Sequence, residues 1–223
     1  PGSDNNQEKQ FWLEKQFWPL AGKTVLEHSV DIFQAHPRVK TIIIVTSANN
    51  RDRVRSKFGE NNCHVIQGGA TRQQSVYAGL QTAADIDPAA RFVAIHDAAR
   101  PLLPAGLLST MLATINDDVI GVVPVLPVAD TLSCVDTQQH IDRIVDRAPL
   151  RALQTPQLFW REAITDLHKH FADNMTFTDD CGLALAAGHA IATVEGTQQL
   201  LKLTHPHDYA MLRSYFNDAN DTL

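Results

Sequence analysis

The chain is poor in cysteine, in long apolar runs and in positive charge. Its 223 residues include three cysteines, Cys63, Cys134 and Cys181, which form no CxxC pair. They therefore predict neither a disulfide framework nor a zinc site, and they fit a reducing cytoplasm. No apolar run approaches the ~20 residues that span a bilayer, so no membrane partner is expected. A net charge of −6 argues against general nucleic-acid binding, but local basic residues can still hold a small anion.

No G-x-G-x-x-G motif follows any predicted strand, which disfavours a dinucleotide-dependent oxidoreductase. What the chain does contain is an alternation of apolar, β-branched runs with amphipathic segments. This order predicts an α/β fold, a Rossmann-like and mostly parallel sheet with flanking helices, in one domain over residues 1–223. The predicted strands are Thr41–Thr46, His64–Ile66, Phe92–Ile95, Val119–Val125, Ile191–Glu195 and Leu200–Thr204. Four consecutive β-branched apolar residues in the first of these predict a strand that is buried on both faces.

Two features of the chain are local enough to predict in detail. Thr24 with Glu27, and Thr71 with Gln74, have the spacing of capping boxes and predict two helix starts. Between residues 131 and 147, two short strands flank a turn and break the alternation, which predicts a protruding hairpin arm. A lone hairpin is marginally stable in water, so we expect this arm to pack on another subunit or on its own domain.

The stretch from Phe92 to Pro101 places polar residues directly after a buried strand, where α/β sheets collect ligands. Asp97 is a candidate Mg²⁺ ligand, and Arg100 is a candidate anion ligand. The alternative is a surface Asp–Arg pair at a strand end. Gly68 and Gly69 precede a helix, so they form either a phosphate- or base-binding turn or merely a tight turn. Lys202, within the last predicted strand, points either to solvent or into a ligand cleft.

Taken together, these motifs resemble the methylerythritol phosphate cytidylyltransferases of the non-mevalonate isoprenoid pathway. The resemblance runs from about Lys15 to Phe216, nearly the whole chain. The resemblance is specific because the short motifs occur together and in this order. Any one of them alone would not identify a family. They are Lys15-Gln16, Gly68-Gly69 with Arg72 and Ser75, His96–Pro101, Pro127–Thr131, Val145–Arg147, Thr155–Gln157, Thr178–Asp180 and Lys202–Thr204.

The resemblance implies transfer of a cytidylyl group from CTP to methylerythritol phosphate, a polyol phosphate, with release of pyrophosphate and with Mg²⁺ as cofactor. It implies catalytic roles for Lys15 and Lys202 at the α-phosphate, and Asp97 beside the nucleotide, its metal and the acceptor hydroxyls. The residues it implies for nucleotide binding are Gly68, Gly69, Ser75, Asp97 and Ala98. Those it implies for acceptor binding are Asp97, Arg100, Thr131, Arg147, Thr155 and Thr178. The arm implies a homodimer, in which Thr131 and Arg147 serve the neighbouring site.

One departure from the family pattern lies at the start of the chain. The family begins with a strand and a glycine-rich loop that carries an arginine, whereas Pro1–Glu14 contains one glycine and no arginine. We expect either that a segment is missing from this sequence or that CTP is not held in the family manner. Two alternatives stay open beside the enzyme: a ribitol 5-phosphate cytidylyltransferase, and a catalytically silent dimeric binding module.

Overall fold

A computed structural model describes residues 14–59, 63–172 and 177–220. The unusual start, Pro1–Leu13, lies outside the described residues, so the expectation about it stays untested. The helices in the described part are α1 (Val25–Ala35), α2 (Ala48–Phe58), α3 (Arg72–Ile86), α4 (Leu107–Thr114), α5 (Arg161–His170), α6 (Asp180–Ala186) and α7 (Pro206–Asn220). The strands there are β1 (Pro19–Leu20), β2 (Lys23–Thr24), β3 (Ile42–Thr46), β4 (Cys63–Gln67), β5 (Phe92–Ile95), β6 (Gly121–Pro127), β7 (Leu132–Val135), β8 (Ile141–Val145), β9 (Arg151–Leu153), β10 (Gln157–Trp160) and β11 (Ile191–Glu195).

The largest sheet has the order β11-β6-β10-β5, with β9 pairing beside β10 on β6. Strand β11 is parallel to β6, and β5 has the same direction because both β5 and β6 are antiparallel to β10. Strands β3 and β4 form a separate parallel pair. The predicted fold class, a mostly parallel sheet with flanking helices, is confirmed. The reversed strands β9 and β10 are additions that the alternation did not predict.

Both capping boxes form as predicted. In α1, the Glu27 amide donates to Thr24 Oγ1 at 3.2 Å, and Glu27 Oε2 accepts from the Thr24 amide at 2.9 Å. In α3, the Gln74 amide donates to Thr71 Oγ1 at 3.1 Å, and Gln74 Oε1 accepts from the Thr71 amide at 3.3 Å. Each helix start therefore satisfies backbone donors that the helix itself leaves without partners.

Two strand predictions need correction. Leu200–Thr204 is not a strand: a 3₁₀ turn spans Gln198–Leu200, and irregular chain follows it. Leu200 and Leu203 are fully buried and anchor this segment by packing, with one backbone bond from Leu203 to the Ala99 carbonyl. Strand β3 was expected to be buried on both faces, but of its residues only Ile44 is buried, because the edge of β3 away from β4 borders a cavity.

The core lies on both faces of the main sheet. Side chains of successive strand residues point to opposite faces, so the fully buried Phe159 packs with Ile164 and Leu183 on one face. Its neighbour Leu158 packs with Met111 on the other. Strand β10 thus joins the two halves of the core.

The arm forms as predicted and leaves the main sheet. Strands β7 and β8 pair only with each other in the described structure, with Leu132 opposite Val145. Three large apolar side chains of the arm, Val135, Ile141 and Ile144, are more than half exposed. None of the described helices is both long and apolar enough to cross a bilayer.

Gly121 provides a sharp test of the packing around β10. A Cβ atom at this position would lie 2.3 Å from Cδ1 of the buried Phe159 and 2.7 Å from the Leu158 carbonyl oxygen. We expect Gly121→Ala to lower the free energy of unfolding by about 1–3 kcal/mol, because the neighbours must shift.

The matched control is Gly106→Ala, where an added Cβ meets nothing within 4 Å. Its free energy of unfolding should stay within about 0.5 kcal/mol of the parent value or rise slightly. Urea denaturation followed by tryptophan fluorescence measures both variants. Equal effects of the two substitutions would contradict this account of the packing.

Candidate active site

The carboxyl end of β5 turns sharply and is fixed by hydrogen bonds. The Arg100 amide donates to the Asp97 carbonyl at 2.9 Å, and the Asp97 amide donates to Thr155 Oγ1 at 3.0 Å. His96 lies between these groups, with Nδ1 at 3.2 Å from Thr155 Oγ1 and Nε2 at 3.1 Å from the Arg100 carbonyl oxygen. The turn His96–Arg100 and Thr155 therefore hold Asp97 in place.

A neutral His96 ring can make both of its hydrogen bonds, one as donor and one as acceptor. Burial lowers the pKa of His96 to about 4, so the ring is neutral near neutral pH. Because a carbonyl only accepts, Nε2 must donate to Arg100, which leaves Nδ1 to accept from the Thr155 hydroxyl. The same hydroxyl oxygen accepts from the Asp97 amide, so each group in the chain is paired.

The Asp97 carboxylate is surrounded by cations. Oδ2 lies 2.7 Å from Lys202 Nζ and 3.9 Å from Arg100 Nε. Burial raises the pKa of Asp97, but the hydrogen bond and charge of Lys202, with the charges of Arg100 and Arg72, outweigh it, so this pKa lies below its usual value. Asp97 is therefore ionised at neutral pH. Lys202, predicted to lie in a strand, reaches this site from irregular chain, which favours the ligand-cleft alternative.

Lys15 joins the same cluster. Its pKa is lowered, first by burial and then by the positive charge of Lys202, while Asp208 and Asp97 act in the opposite direction. Asp208 is itself buried, and its Oδ2 accepts from the amides of Thr204 and His205 at 2.8 and 2.7 Å. The positive charges of Lys15 and Lys202 therefore act on each other, and two such ammonium groups favour binding of an anion such as a phosphate.

The predicted nucleotide-binding residues lie on neighbouring elements. Gly68 and Gly69 connect β4 to α3, and a Cβ atom on Gly68 would lie 2.6 Å from Ser75 Oγ. Only glycine permits this close approach of the loop to the helix. Ser75 lines the same cavity as Asp97 and Ala98, and the Ala98 carbonyl accepts from Ser29 Oγ at 2.9 Å.

Arg100 lies mostly buried between Asp97 and Leu200. Its side chain is 12% exposed, and its guanidinium donates to the Leu200 carbonyl. In the described structure Arg100 therefore braces the segment that carries Lys202. Its predicted contact with an acceptor phosphate stays a prediction.

The remaining acceptor residues are spread over the surface. Thr155 is buried beside Asp97, whereas Thr131, Arg147 and Thr178 are exposed. Thr131 and Arg147 flank the arm, and Thr178 precedes α6. No contact among the described residues joins Thr131 or Arg147 to the Asp97 cluster.

Sequence reasoning gave Arg72 no role. Arg72, the first residue of α3, lies 2.6 Å from Oδ2 of the buried Asp180, whose Oδ1 lies 2.9 Å from His168 Nε2. Its charge also lowers the pKa of Asp97. A cation three residues after a glycine pair, at a helix start, could have indicated this position, but its buried partner Asp180 is distant in the sequence.

Comparisons with known proteins agree on one family. The family model for IspD, 2-C-methyl-D-erythritol 4-phosphate cytidylyltransferase, matches residues 6–218. A 2-C-methyl-D-erythritol 4-phosphate cytidylyltransferase of Saccharopolyspora erythraea is 34% identical over 201 residues, which are 89% of each chain. The bifunctional enzyme IspD/IspF of Rhodopseudomonas palustris is 38% identical over 199 residues, 88% of this chain but 49% of the relative. The chain thus spans about half the length of such bifunctional relatives.

The solved structures extend this agreement to the backbone. The crystal structure of 2-C-methyl-D-erythritol 4-phosphate cytidylyltransferase from Thermus thermophilus is 29% identical, covers 92% of this chain and 94% of its own, and superposes with a TM-score of 0.78. Sequence and fold therefore agree along most of the chain: it belongs to the IspD family of 2-C-methyl-D-erythritol 4-phosphate cytidylyltransferases.

Proposed function

We propose that this chain transfers a cytidylyl group from CTP to 2-C-methyl-D-erythritol 4-phosphate and releases pyrophosphate. The observation that carries the proposal is the cluster of Lys15, Lys202 and Asp97 at the carboxyl end of β5, in a chain of this family. We assign the reaction to the cytoplasm, because the three free cysteines of the described structure fit a reducing compartment.

The two lysines supply the main electrostatic contribution. Phosphoryl-type transfer needs in-line positioning and neutralisation of charge rather than covalent help from the protein. Lys15 and Lys202 bind the triphosphate and stabilise the negative charge that develops around the α-phosphorus. Because the Asp97 carboxylate holds the Lys202 ammonium group in place before the nucleotide arrives, little reorganisation of that charge is needed at the reacting centre.

The site also fits the Mg²⁺ that the resemblance implies. Mg²⁺ in nucleotide enzymes is held by one or two carboxylates together with substrate phosphates. Asp97 is ionised, and only its Oδ2 contacts Lys202 and Arg100, so Oδ1 can bind a cation. When bound there, the ion would supply further charge neutralisation at the phosphates.

The base and the acceptor are assigned to opposite sides of this cluster. Gly68, Gly69, Ser75 and Ala98 contact the cytidine, where a loop without Cβ atoms allows close approach. Thr155, Thr178 and Arg100 belong to the acceptor side, with Thr131 and Arg147 supplied by the arm of a second subunit. This division explains why no contact in one described subunit joins the arm to Asp97.

The exposed apolar side chains of the arm support a homodimer. Ile141, Ile144 and Val135 are 69%, 62% and 53% exposed, although an isolated hairpin needs packing to be stable. Apolar side chains clustered on a protruding element are typical of a protein interface. We therefore propose that the arms pack on the partner subunit.

The direct test is pyrophosphate release by the 223-residue chain with CTP, Mg²⁺ and 2-C-methyl-D-erythritol 4-phosphate, run in parallel with ribitol 5-phosphate. We expect turnover with the first acceptor and a kcat about 100-fold lower in Asp97→Asn, since one preorganised charge is lost. The exposed Asp166→Asn serves as the control and should keep the parent kcat.

Unfolding in urea accompanies this assay, and we expect Asp97→Asn to lose some stability but to stay folded under the assay conditions, so that its loss of kcat far exceeds any loss of folded protein. Turnover with ribitol 5-phosphate instead would overturn the choice of acceptor. Binding of the acceptor by calorimetry without turnover would indicate the silent binding module. A loss of kcat in Asp97→Asn that merely follows a loss of folding would remove the role of Asp97.

The ion pair between Lys202 and Asp97 Oδ2 leads to a second prediction. Removing the Lys202 charge in Lys202→Gln should raise the pKa of Asp97, because burial then acts with less compensation. Carbon-detected NMR titration of the aspartate carboxyls measures this pKa. The control is Lys40→Gln, an exposed lysine that the site does not use. An unchanged Asp97 pKa in Lys202→Gln would contradict the described pairing.

The role of the arm can be tested separately. We expect Arg147→Ala to raise the KM for the acceptor phosphate about tenfold or more, through loss of a charge-assisted contact, with the KM for CTP nearly unchanged. Arg143→Ala is the control, since Arg143 is also exposed on the arm but has no assigned contact with substrate. A rise in the KM for CTP alone would reverse the assignment of Arg147.

A further inference from the structure

Gln157, the first residue of β10, is a polar residue on an apolar face of the main sheet. It is 1% exposed. Residues two apart in a strand share a face, so Gln157 lies on the same side of β10 as Phe159, which packs with Leu183 of α6. A buried amide needs hydrogen-bond partners, whereas an apolar side chain at this position would need none. The partner of Gln157 is therefore expected at or near α6.

That partner is Asp179, the residue that caps α6. Gln157 Nε2 donates to Asp179 Oδ2 at 3.1 Å. The other oxygen, Oδ1, accepts from the Gly182 amide at 2.8 Å and satisfies a backbone donor at the helix start. The two carboxylate oxygens thus have different partners, one on β10 and one on α6. Together the two bonds fix the carboxylate, and with it the backbone at Asp179.

The next residue is fixed as well. Asp180 is buried, with Oδ2 at 2.6 Å from Arg72 Nη2 and Oδ1 at 2.9 Å from His168 Nε2. Residues 179 and 180 are therefore tied to β10, α3 and α5. Thr178 comes directly before them and is exposed, so its hydroxyl is available to a substrate while its backbone is held from behind.

The same end of β10 also holds Asp97. Thr155, two residues before Gln157, accepts from the Asp97 amide at 3.0 Å. Gln157 itself pairs with Ile95, two residues before Asp97, in the ladder between β10 and β5. The three residues from Thr155 to Gln157 thus contact both Asp97 and Asp179, although these two carboxylates are far apart in the sequence.

Electrostatic interactions agree that both carboxylates face one site. Burial lowers the pKa of Arg72, but the charges of Asp180, Asp97 and Asp179 outweigh it and raise this pKa above its usual value. Arg72 therefore lies within electrostatic range of Asp97 and of Asp179. The loop that carries Thr178 and the end of β5 consequently border the same site.

We propose that Gln157 is a positioning residue for the acceptor: through Asp179 it holds Thr178 in a fixed place relative to Asp97. This role rests on the proposed function, in which Thr178 contacts the acceptor and Asp97 lies beside the nucleotide. Transfer requires the acceptor hydroxyl to lie about 3–3.5 Å from the α-phosphorus, and a displacement of about 1 Å can cost about 100-fold in rate. A bond that sets the place of Thr178 therefore affects the reaction without touching substrate.

Gln157→Leu removes the donor and keeps a buried side chain of similar size. Pyrophosphate release is measured with each substrate varied in turn. We expect the KM for 2-C-methyl-D-erythritol 4-phosphate to rise about tenfold or more and kcat to fall about tenfold, with the KM for CTP within about twofold of the parent value. Lower stability in urea with an unchanged KM for the acceptor would indicate a merely structural role and would overturn the proposal.

Gln154→Leu is the matched control. Gln154 is also buried, and its Nε2 donates to the Thr197 carbonyl at 2.8 Å while its Oε1 accepts from the Thr197 amide at 3.1 Å. This variant loses two bonds rather than one, so it should be destabilised at least as much as Gln157→Leu. Its KM for the acceptor should nevertheless stay within about twofold of the parent value. An equal rise of this KM in both variants would overturn the proposal.

Substitutions at Asp179 test the route of the effect. Asp179→Asn keeps a capping oxygen, and the Gln157 amide can rotate so that Oε1 accepts from the new amide, so the acceptor KM should stay within about threefold of the parent value. Asp179→Ala should raise it about as much as Gln157→Leu. The double variant should be no worse than the worse single one, because both changes remove the same bond. Additive effects would contradict an action through Asp179.

Calorimetric titration with the acceptor, in the presence of CTP and Mg²⁺, separates this role from the proposed function. Absence of turnover in the parent chain would overturn the proposed function, and the Kd for the acceptor would then decide the role of Gln157. A Kd about tenfold or more weaker in Gln157→Leu than in the parent would support that role, and an equal Kd or no binding by the parent would overturn it. Circular dichroism checks folding, and Gln157→Met, whose side chain adapts to its surroundings, replaces Gln157→Leu if that variant does not fold.

Discussion

The ion pair between Asp97 and Lys202 is the interaction on which the candidate site depends. It joins the end of β5 to the chain that precedes α7, and Arg100 strengthens the join by donating to the Leu200 carbonyl. Burying most of a carboxylate, as at Asp97, costs free energy unless cations lie beside it. Here the same cations bind the substrate phosphates in the proposed reaction, so one cluster stabilises the fold and prepares the site.

Local features of the chain were predictable because their causes are local. A threonine and a glutamate or glutamine three residues apart form the capping boxes at Thr24 and Thr71 through groups within one helical turn. The arm was predictable for a similar reason, since both strands of the hairpin lie on either side of one turn. Asp97 was found because apolar strand residues followed by polar ones place a side chain at the ligand-binding edge of a parallel sheet.

Features that depend on distant partners were not predictable in this way. The Leu200–Thr204 run has the alternation of a strand, but Leu200 and Leu203 are buried by packing on separate clusters, and no strand pairs with this run in the described structure. Strand β10 was missed because its antiparallel insertion between β5 and β6 is decided by the whole sheet. Arg72 was missed because Asp180, which fixes it, is remote in the sequence.

The pairing of β5 with β10 steadies one side of the site. The one paired edge of β5 faces β10, so Asp97 is steadied on that side by Thr155, which precedes β10, and through Thr155 by the neutral ring of His96. The opposite edge makes no strand pairing in the described chain, and an edge strand is freer to open than a central one. The position of Asp97 therefore depends on the hydrogen bonds of the His96–Arg100 turn more than it would if β5 were paired along both edges.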